Sequence, residues 1–291
     1  MYKQIDSNKR RTVALMILFI AIILFLGWFF GWYTGYQYFW LGGAIVVSIG
    51  MTLFSYYRGD KMMLWSVRAK PIAKEDNPYV YRLVENLAIT AGLPLPQIYI
   101  INDPAPNAFA TGRDPKHASI ALTTGLIERL ENEELEGVIA HELSHIKNYD
   151  IRLMMVVAIL VGIIAMMTQW LSYSWGGNRR GGGGGGIFVL IGIVLILVSP
   201  LIAQAIKMAI SRRREYLADA SGALLTRYPA GLASALEKIS AYGEPMKRAN
   251  NGMAHLFIAN PFGSRSAKGI AHLFDTHPPV EERIAKLRKM A

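Results

Sequence analysis

The sequence predicts an α+β fold within a multi-pass α-helical membrane protein that has four transmembrane helices. Three observations predict it. Four uncharged apolar runs are each about 20 residues long, basic residues gather at one set of their ends, and the polar remainder holds short strand-like segments followed by amphipathic helices. The 291 residues are 52% hydrophobic and 18% charged, with a mean hydropathy of +0.26, whereas soluble domains usually carry ~25% charged residues. This composition excludes intrinsic disorder. The absence of cysteine excludes a disulfide framework, a thiol nucleophile and a cysteine-ligated metal. Any chemistry rests on Ser, His, Asp, Glu or a metal that they hold.

The first apolar stretch, Thr12 to Tyr57, carries no charge and divides at Tyr33 to Tyr38, so it reads as a helical hairpin. At ~1.5 Å per residue each half spans the ~30 Å hydrocarbon core of a bilayer. A second pair follows at Leu153 to Trp175 and Ile187 to Ile206, joined by a loop with Arg179, Arg180 and the glycine run Gly181 to Gly186. Trp28, Trp32, Trp40, Trp170 and Trp175 fall near span ends, where amphipathic rings favour the interface. Basic residues cluster at Lys3 to Arg11, Arg58 to Lys70, Lys147 to Arg152 and Lys207 to Arg214, whereas the opposite loops hold only Arg179 and Arg180. By the positive-inside rule both termini and the polar segments are cytoplasmic. That distribution accounts for the net charge of +10 without a nucleic-acid partner, and none is expected. The first span lacks a small-residue cleavage site and is expected to remain as an anchor. The glycine run lacks the Lys-Ser/Thr of a phosphate loop and reads as a linker. The expected organisation is a hairpin over 1–58, a first cytoplasmic part over 59–150, a second hairpin over 151–208 and a second cytoplasmic part over 209–291.

In the polar parts, Asn77-Pro78 supplies a cap and a first-turn proline for a helix running to about Ala91. Gln97 to Ile101, Phe109 to Thr111 and His117 to Leu122 are strand candidates, the last two separated by the turn-like Gly112-Arg113-Asp114-Pro115. Asn132 is expected to cap a helix whose first turn carries Glu133 and Glu134. Further helices are expected around Ser211 to Leu225, Ala230 to Ala241 and Pro279 to Lys289.

The chemistry centres on His141-Glu142-Leu143-Ser144-His145. Residues four apart share a helical face, so both imidazoles can reach one zinc ion, and Glu142 can act as general base toward the water that the metal activates. A metzincin needs glycine and histidine at positions 148 and 151, where Asn148 and Ile151 stand, so that class is excluded. Charged residues on both sides of the motif place it at the membrane border and not within the bilayer. A catalytic zinc needs a third protein ligand. The best downstream candidate is Glu215, with Asp219 on the same helical face to orient a ligand histidine; His255, His272, Asp275 and His277 compete with it.

Asn107-Ala108-Phe109-Ala110, His141-Glu142-x-x-His145, Glu215-x-x-x-Asp219 and Thr276-His277-Pro278-Pro279 occur in this order, with one hairpin ahead of them and the other between the second and the third. Over nearly its whole length the chain therefore resembles the HtpX-type membrane zinc metalloproteases, relatives of the CAAX prenyl endopeptidases. The resemblance implies a cytoplasmic gluzincin-like zinc protease domain holding one zinc ion per chain on His141, His145 and Glu215, with Glu142 as base and Asp219 behind a ligand. It also implies that Asn107, Ala108, Phe109 and Ala110 form an edge strand that pairs with substrate backbone, and that His277 lies near the developing oxyanion. Arg283 has two readings, a site residue or a partner of Glu281 or Glu282. The implied activity is endopeptidase cleavage of misfolded membrane proteins or unfolded polypeptides, in quality control at a bacterial inner membrane, with lipid around the spans. The rival reading is a non-catalytic receptor or chaperone with a zinc-stabilised fold, for which Glu142 is dispensable. The residues specify no oligomeric state.

Overall fold

The computed structural model describes residues 2–159, 162, 212–249, 253–263 and 278–291. The second expected hairpin beyond its first turns, with Arg179, Arg180 and the glycine run, lies outside the described residues, as do His272, Asp275, Thr276 and His277.

Two long helices open the chain, α1 (Tyr2–Thr34) and α2 (Gln37–Ser66), with the reversal at Gly35, whose φ of +77° suits a residue without a Cβ. The helices approach closely where a Cβ on Gly27 would meet the Ala44 side chain. Both are long and apolar enough to cross a membrane. Ile17, Phe25, Val46 and Leu53 stay exposed along them, a surface suited to lipid. With 33 and 30 residues they measure roughly 50 and 45 Å at 1.5 Å per residue, well beyond a ~30 Å bilayer core. The surplus is polar: the first turns of α1 and the last turns of α2, which lie at the same end of the hairpin.

That end meets an α+β domain. Its elements are β1 (Lys70–Pro71), α3 (Pro78–Ala91), β2 (Gln97–Ile101), β3 (Ala108–Gly112), β4 (Ala118–Thr123), α4 (Thr124–Arg129), α5 (Asn132–Lys147), a helical run over 150–159, α6 (Arg212–Thr226), α7 (Pro229–Ala241) and α8 (Val280–Arg288). Asn77 caps α3 by accepting a hydrogen bond from the N–H of Val80, and Gly92 ends it in the left-handed conformation. The N-cap of α5 is Glu131, one residue earlier than Asn132. The Glu134 side chain reaches back to accept from the Glu131 N–H at 2.8 Å, while Asn132 turns its side chain to Glu136 and Tyr79. A carboxylate three residues into the helix competes for the cap as effectively as asparagine.

The sheet runs in the order β1-β2-β4-β3, with β2 parallel to β4 and β3 antiparallel to it, so β3 is an edge strand. Side chains alternate across it. Ile98, Ala108, Ala110, Ile120 and Leu122 face one core, shared with α3, α5 and α7. Ile101, Phe109 and Ala121 face a second core, made with Met63 and Leu64 from α2, with Val67 just after it, and with Met154, Met155, Ala158 and Ile159. The membrane hairpin thus supplies one wall of the domain. Between β3, α3, α6 and α7, α5 is buried almost all round, the position of a central helix.

Candidate active site

His141 and His145 lie one turn apart on α5, and both are buried. Their rings meet edge to face, with the two Nε2 atoms 3.2 Å apart. The other nitrogen of each ring faces a carboxylate. His145 Nδ1 is 3.1 Å from Asp150 Oδ2. His141 Nδ1 is 2.9 Å from Asp219 Oδ1, close enough for strong attraction although not aligned as a regular hydrogen bond. A carboxylate beside Nδ1 favours a proton on that nitrogen and leaves Nε2 as the atom that each ring can offer to a metal. Two ring nitrogens this close in a buried pocket are reconciled by a shared proton or by a bound cation.

Glu215, in the first turn of α6, completes the triangle. Its carboxylate oxygens lie 3.5 Å from His145 Nε2 and 3.9 Å from His141 Nε2. An ion bound tetrahedrally at about 2.0–2.1 Å needs ligand atoms about 3.3 Å apart, so the three residues fit a small divalent ion once the Glu215 carboxylate closes in by roughly half an ångström. Among the described residues, His141, His145 and Glu215 form the one group of three side chains placed for this.

The electrostatics agree. Burial pushes the His145 imidazole down, but Asp150, Glu215 and Glu142 outweigh it and lift it to about 9, the mark of a pocket that attracts positive charge. Burial dominates at His141 and holds it below the usual imidazole range. Glu142, next to His141, is lifted by burial to about 7, against the pull of His145 and of the Ala110 backbone N–H. A base with that proton affinity is suited to taking and returning a proton at neutral pH.

Asp219 sits one turn after Glu215, with its carboxylate on the Nδ1 side of His141. Arg283 of α8 is buried against Asp219, donating from Nε and Nη2 to the two carboxylate oxygens at 2.9 and 2.7 Å. Its Nη1 donates to the Ile258 carbonyl at 3.2 Å and lies 3.7 Å from Glu215. Burial raises the Asp219 carboxyl, but Arg283 and His141 outweigh it and hold it below the usual range. Arg283 is therefore a site residue, turned away from the neighbouring glutamates.

Asp150 is the residue that sequence reasoning missed. The signal was present, a carboxylate five residues past a ligand histidine, but its charge reads equally as a membrane-border residue. Of the competing ligands, His255 is spent on the Met154 carbonyl at 3.0 Å in the second core. His272, Asp275 and His277 lie outside the described residues. Asn107 is buried: its side chain donates to the Ala259 carbonyl and accepts from the Ala108 N–H. Ala108 gives its carbonyl to the Ile258 N–H, and Phe109 packs on Phe257 in the second core. Ala110 lies closest to the chemistry, with its N–H on Glu142.

The model of peptidase family M48 matches residues 74–291. Protease HtpX homolog of Caldanaerobacter subterraneus subsp. tengcongensis is 46% identical over 300 residues, covering 100% of this chain and 98% of its own length. Protease HtpX homolog of Lactobacillus helveticus is 43% identical over 302 residues and covers both chains completely. The crystal structure of Ste24p from S. mikatae has the same fold, with a TM-score of 0.53 at 19% identity, over 99% of this chain and 67% of that one. With the family model spanning β2 to β4, the histidine helix and the helices beyond it, the chain belongs to peptidase family M48 and is a membrane-associated metalloprotease.

Proposed function

We propose that this metalloprotease is a zinc endopeptidase of a bacterial inner membrane, held by four transmembrane helices, with both termini and the active site in the cytoplasm and one zinc ion per chain. The observation that carries the reading is the buried pair of Nε2 atoms 3.2 Å apart, closed by Glu215 and flanked by Glu142. Bound to His141, His145 and Glu215, zinc supplies Lewis-acid chemistry, lowering the pKa of a water toward 7 and polarising the scissile carbonyl. Glu142 takes the proton of the attacking water and returns it to the leaving amine. Asp219 and Asp150 hold the two imidazoles in one tautomer, and Arg283 fixes Asp219. His277 stabilises the oxyanion in this reading; α8, which begins three residues after it, carries Arg283 into the site.

The substrates we propose are misfolded membrane proteins and unfolded polypeptides, cleaved in quality control. An extended chain adds along β3 by backbone hydrogen bonds, which makes sequence specificity loose. Ile258 already holds the Ala108 carbonyl and the Ala110 N–H lies on Glu142, so in this reading the substrate backbone takes the place of contacts that now bury this edge.

The test is cleavage of casein by the detergent-purified full chain, wild type against Glu142→Gln, with zinc measured in both. Equal zinc with a loss of roughly a hundred- to ten-thousandfold in turnover is expected for removal of a general base. Equal turnover in the two proteins overturns the role of Glu142. Equal zinc with no cleavage by either overturns casein-like polypeptides as substrates and favours the receptor or chaperone reading.

A further inference from the structure

The first turns of α1, before the apolar span begins, reach the metal site. Asn8 is 3% exposed and lies 140 residues or more from its partners in sequence. Its Nδ2 donates to Asp150 Oδ1 at 2.7 Å and to the Asn148 carbonyl at 2.9 Å, while its Oδ1 accepts from Arg214 Nη1 at 3.2 Å. The other oxygen of Asp150 is the one on His145 Nδ1. One carboxylate is therefore held from both sides, by an amide of the membrane hairpin and by an imidazole of the metal site. The loop that carries it is under constraint, since Tyr149 has a φ of +60°, which a residue with a Cβ rarely adopts. Lys9 and Arg152 pack on the Tyr149 ring at 4.6 and 5.1 Å, the first of them next to Asn8. Arg214 also lies 3.5 Å from Asp150 and immediately precedes Glu215.

We propose that Asn8 is a positioning residue of the metal site: it fixes the Asp150 carboxylate against His145 and, through Arg214, the start of the helix that carries Glu215. The proposal rests on the reading that His141, His145 and Glu215 hold the ion. It makes the N-terminal helix part of the metal centre as well as an anchor. Nothing in the local sequence Asp6-Ser7-Asn8-Lys9 signals this, because the contact is entirely tertiary.

The test uses the full chain in detergent. Zinc affinity is measured by chelator competition, and the geometry of the site by the d–d absorption bands of the cobalt(II)-substituted protein. Asn8→Ala removes both donors to the Asn148–Asp150 loop. Asn8→Asp keeps the side-chain shape but replaces the donor with an oxygen that repels Asp150. Both variants are expected to weaken zinc binding by roughly ten- to a hundredfold, as losing a partner of a ligand does, and to shift the cobalt bands. Thr12→Val is the control: Thr12 is as deeply buried one turn later and its hydroxyl donates to the Asn8 backbone carbonyl, which leaves the Asn8 side-chain amide in place, so its zinc affinity and bands are expected to stay at wild type. Folded Asn8 variants with wild-type affinity and spectrum overturn the proposal. If neither folds, hydrogen exchange of the wild type decides, because coupling is reciprocal. Zinc is expected to slow exchange over residues 5–12, and unchanged exchange there overturns the proposal. A wild type that binds no zinc at all overturns the metal-site reading itself, a result distinct from either.

Discussion

Each imidazole of the pair keeps its Nδ1 against a carboxylate, and that arrangement decides which nitrogen is left for the metal. The two carboxylates are held differently. Asp150 is shared with Asn8, whereas Asp219 is gripped by the Nε and Nη2 donors of the Arg283 guanidinium. A fork of donors matches a carboxylate in a way that the point charge of lysine does not. Arg283→Lys is therefore expected to keep a folded protein, since the pocket retains its positive charge, but to lower kcat/KM for casein by roughly ten- to a hundredfold as Asp219 and His141 lose their fixed orientation. Arg283→Met leaves Asp219 buried and uncompensated, and is expected to cost about 3–5 kcal/mol in thermal or denaturant unfolding. A Lys variant with wild-type kcat/KM would show that charge alone suffices. The difference between legible and hidden residues is physical. His141 with His145, and Glu215 with Asp219, are spaced four apart, so a helix brings each pair to one face by local geometry. Asp150 is only five residues past His145 but lies beyond the end of α5, where the turn at Tyr149 brings it back, whereas Arg283 and Asn8 reach the site through the packing of separate elements, which leaves no trace in local spacing.

At the scale of elements, the ligands come from two helices whose separation is set by glycine. Glu215, Asp219 and Gly222 fall on one face of α6, and a Cβ on Gly222 would lie 3.0 Å from the His141 backbone nitrogen and 3.3 Å from its Cα. Backbone cannot swing aside as a side chain can, so Gly222→Ala must push α6 away from α5. The expected result is a loss of about 1–3 kcal/mol from overpacking, together with weaker zinc binding as Glu215 retreats from the histidines. Chelator competition checks the second part, and a variant as tight as wild type would show that Glu215 follows the ion independently of helix spacing. Elements with their own start and stop signals were readable: Asn77-Pro78 and the left-handed Gly92 bound α3. Those without such signals were not. The two residues of β1 are a strand only because they pair with Tyr99 and Ile100, and α4 is a single short helix directly continuing a strand. The pattern of alternation along β3 and β4 was weak for a different reason, since every residue of both strands is buried.

Over the whole molecule, the protease domain and its anchor share a core. The second face of the sheet is covered by the end of α2 and by residues 154–159, where the third apolar run begins. Hydropathy alone does not separate that run from a membrane span, because lipid and protein interior select the same side chains. Ile151, Leu153, Val156 and Val157 are buried by protein, so the run starts inside the domain before any part of it meets lipid. A Cβ on Gly59 of α2 would meet the Ile159 side chain at 2.5 Å, a close helix contact that ties this run to the first hairpin. The proposed four-span topology then fixes which loops face outward, and the absence of cysteine allows a direct test with single introduced thiols. Tyr36→Cys lies at the exposed turn between α1 and α2, Gly183→Cys in the glycine run, and Glu75→Cys in an exposed loop ahead of α3. In right-side-out membrane vesicles an impermeant maleimide is expected to label Tyr36→Cys and Gly183→Cys at once, and Glu75→Cys only after lysis. Labelling in the reverse order would invert the orientation that the basic residues specify, and would put the active site on the outer face. Labelling of Gly183→Cys only after lysis, with Tyr36→Cys labelled from outside, would remove the second hairpin from the bilayer and make residues 151–208 part of the cytoplasmic fold.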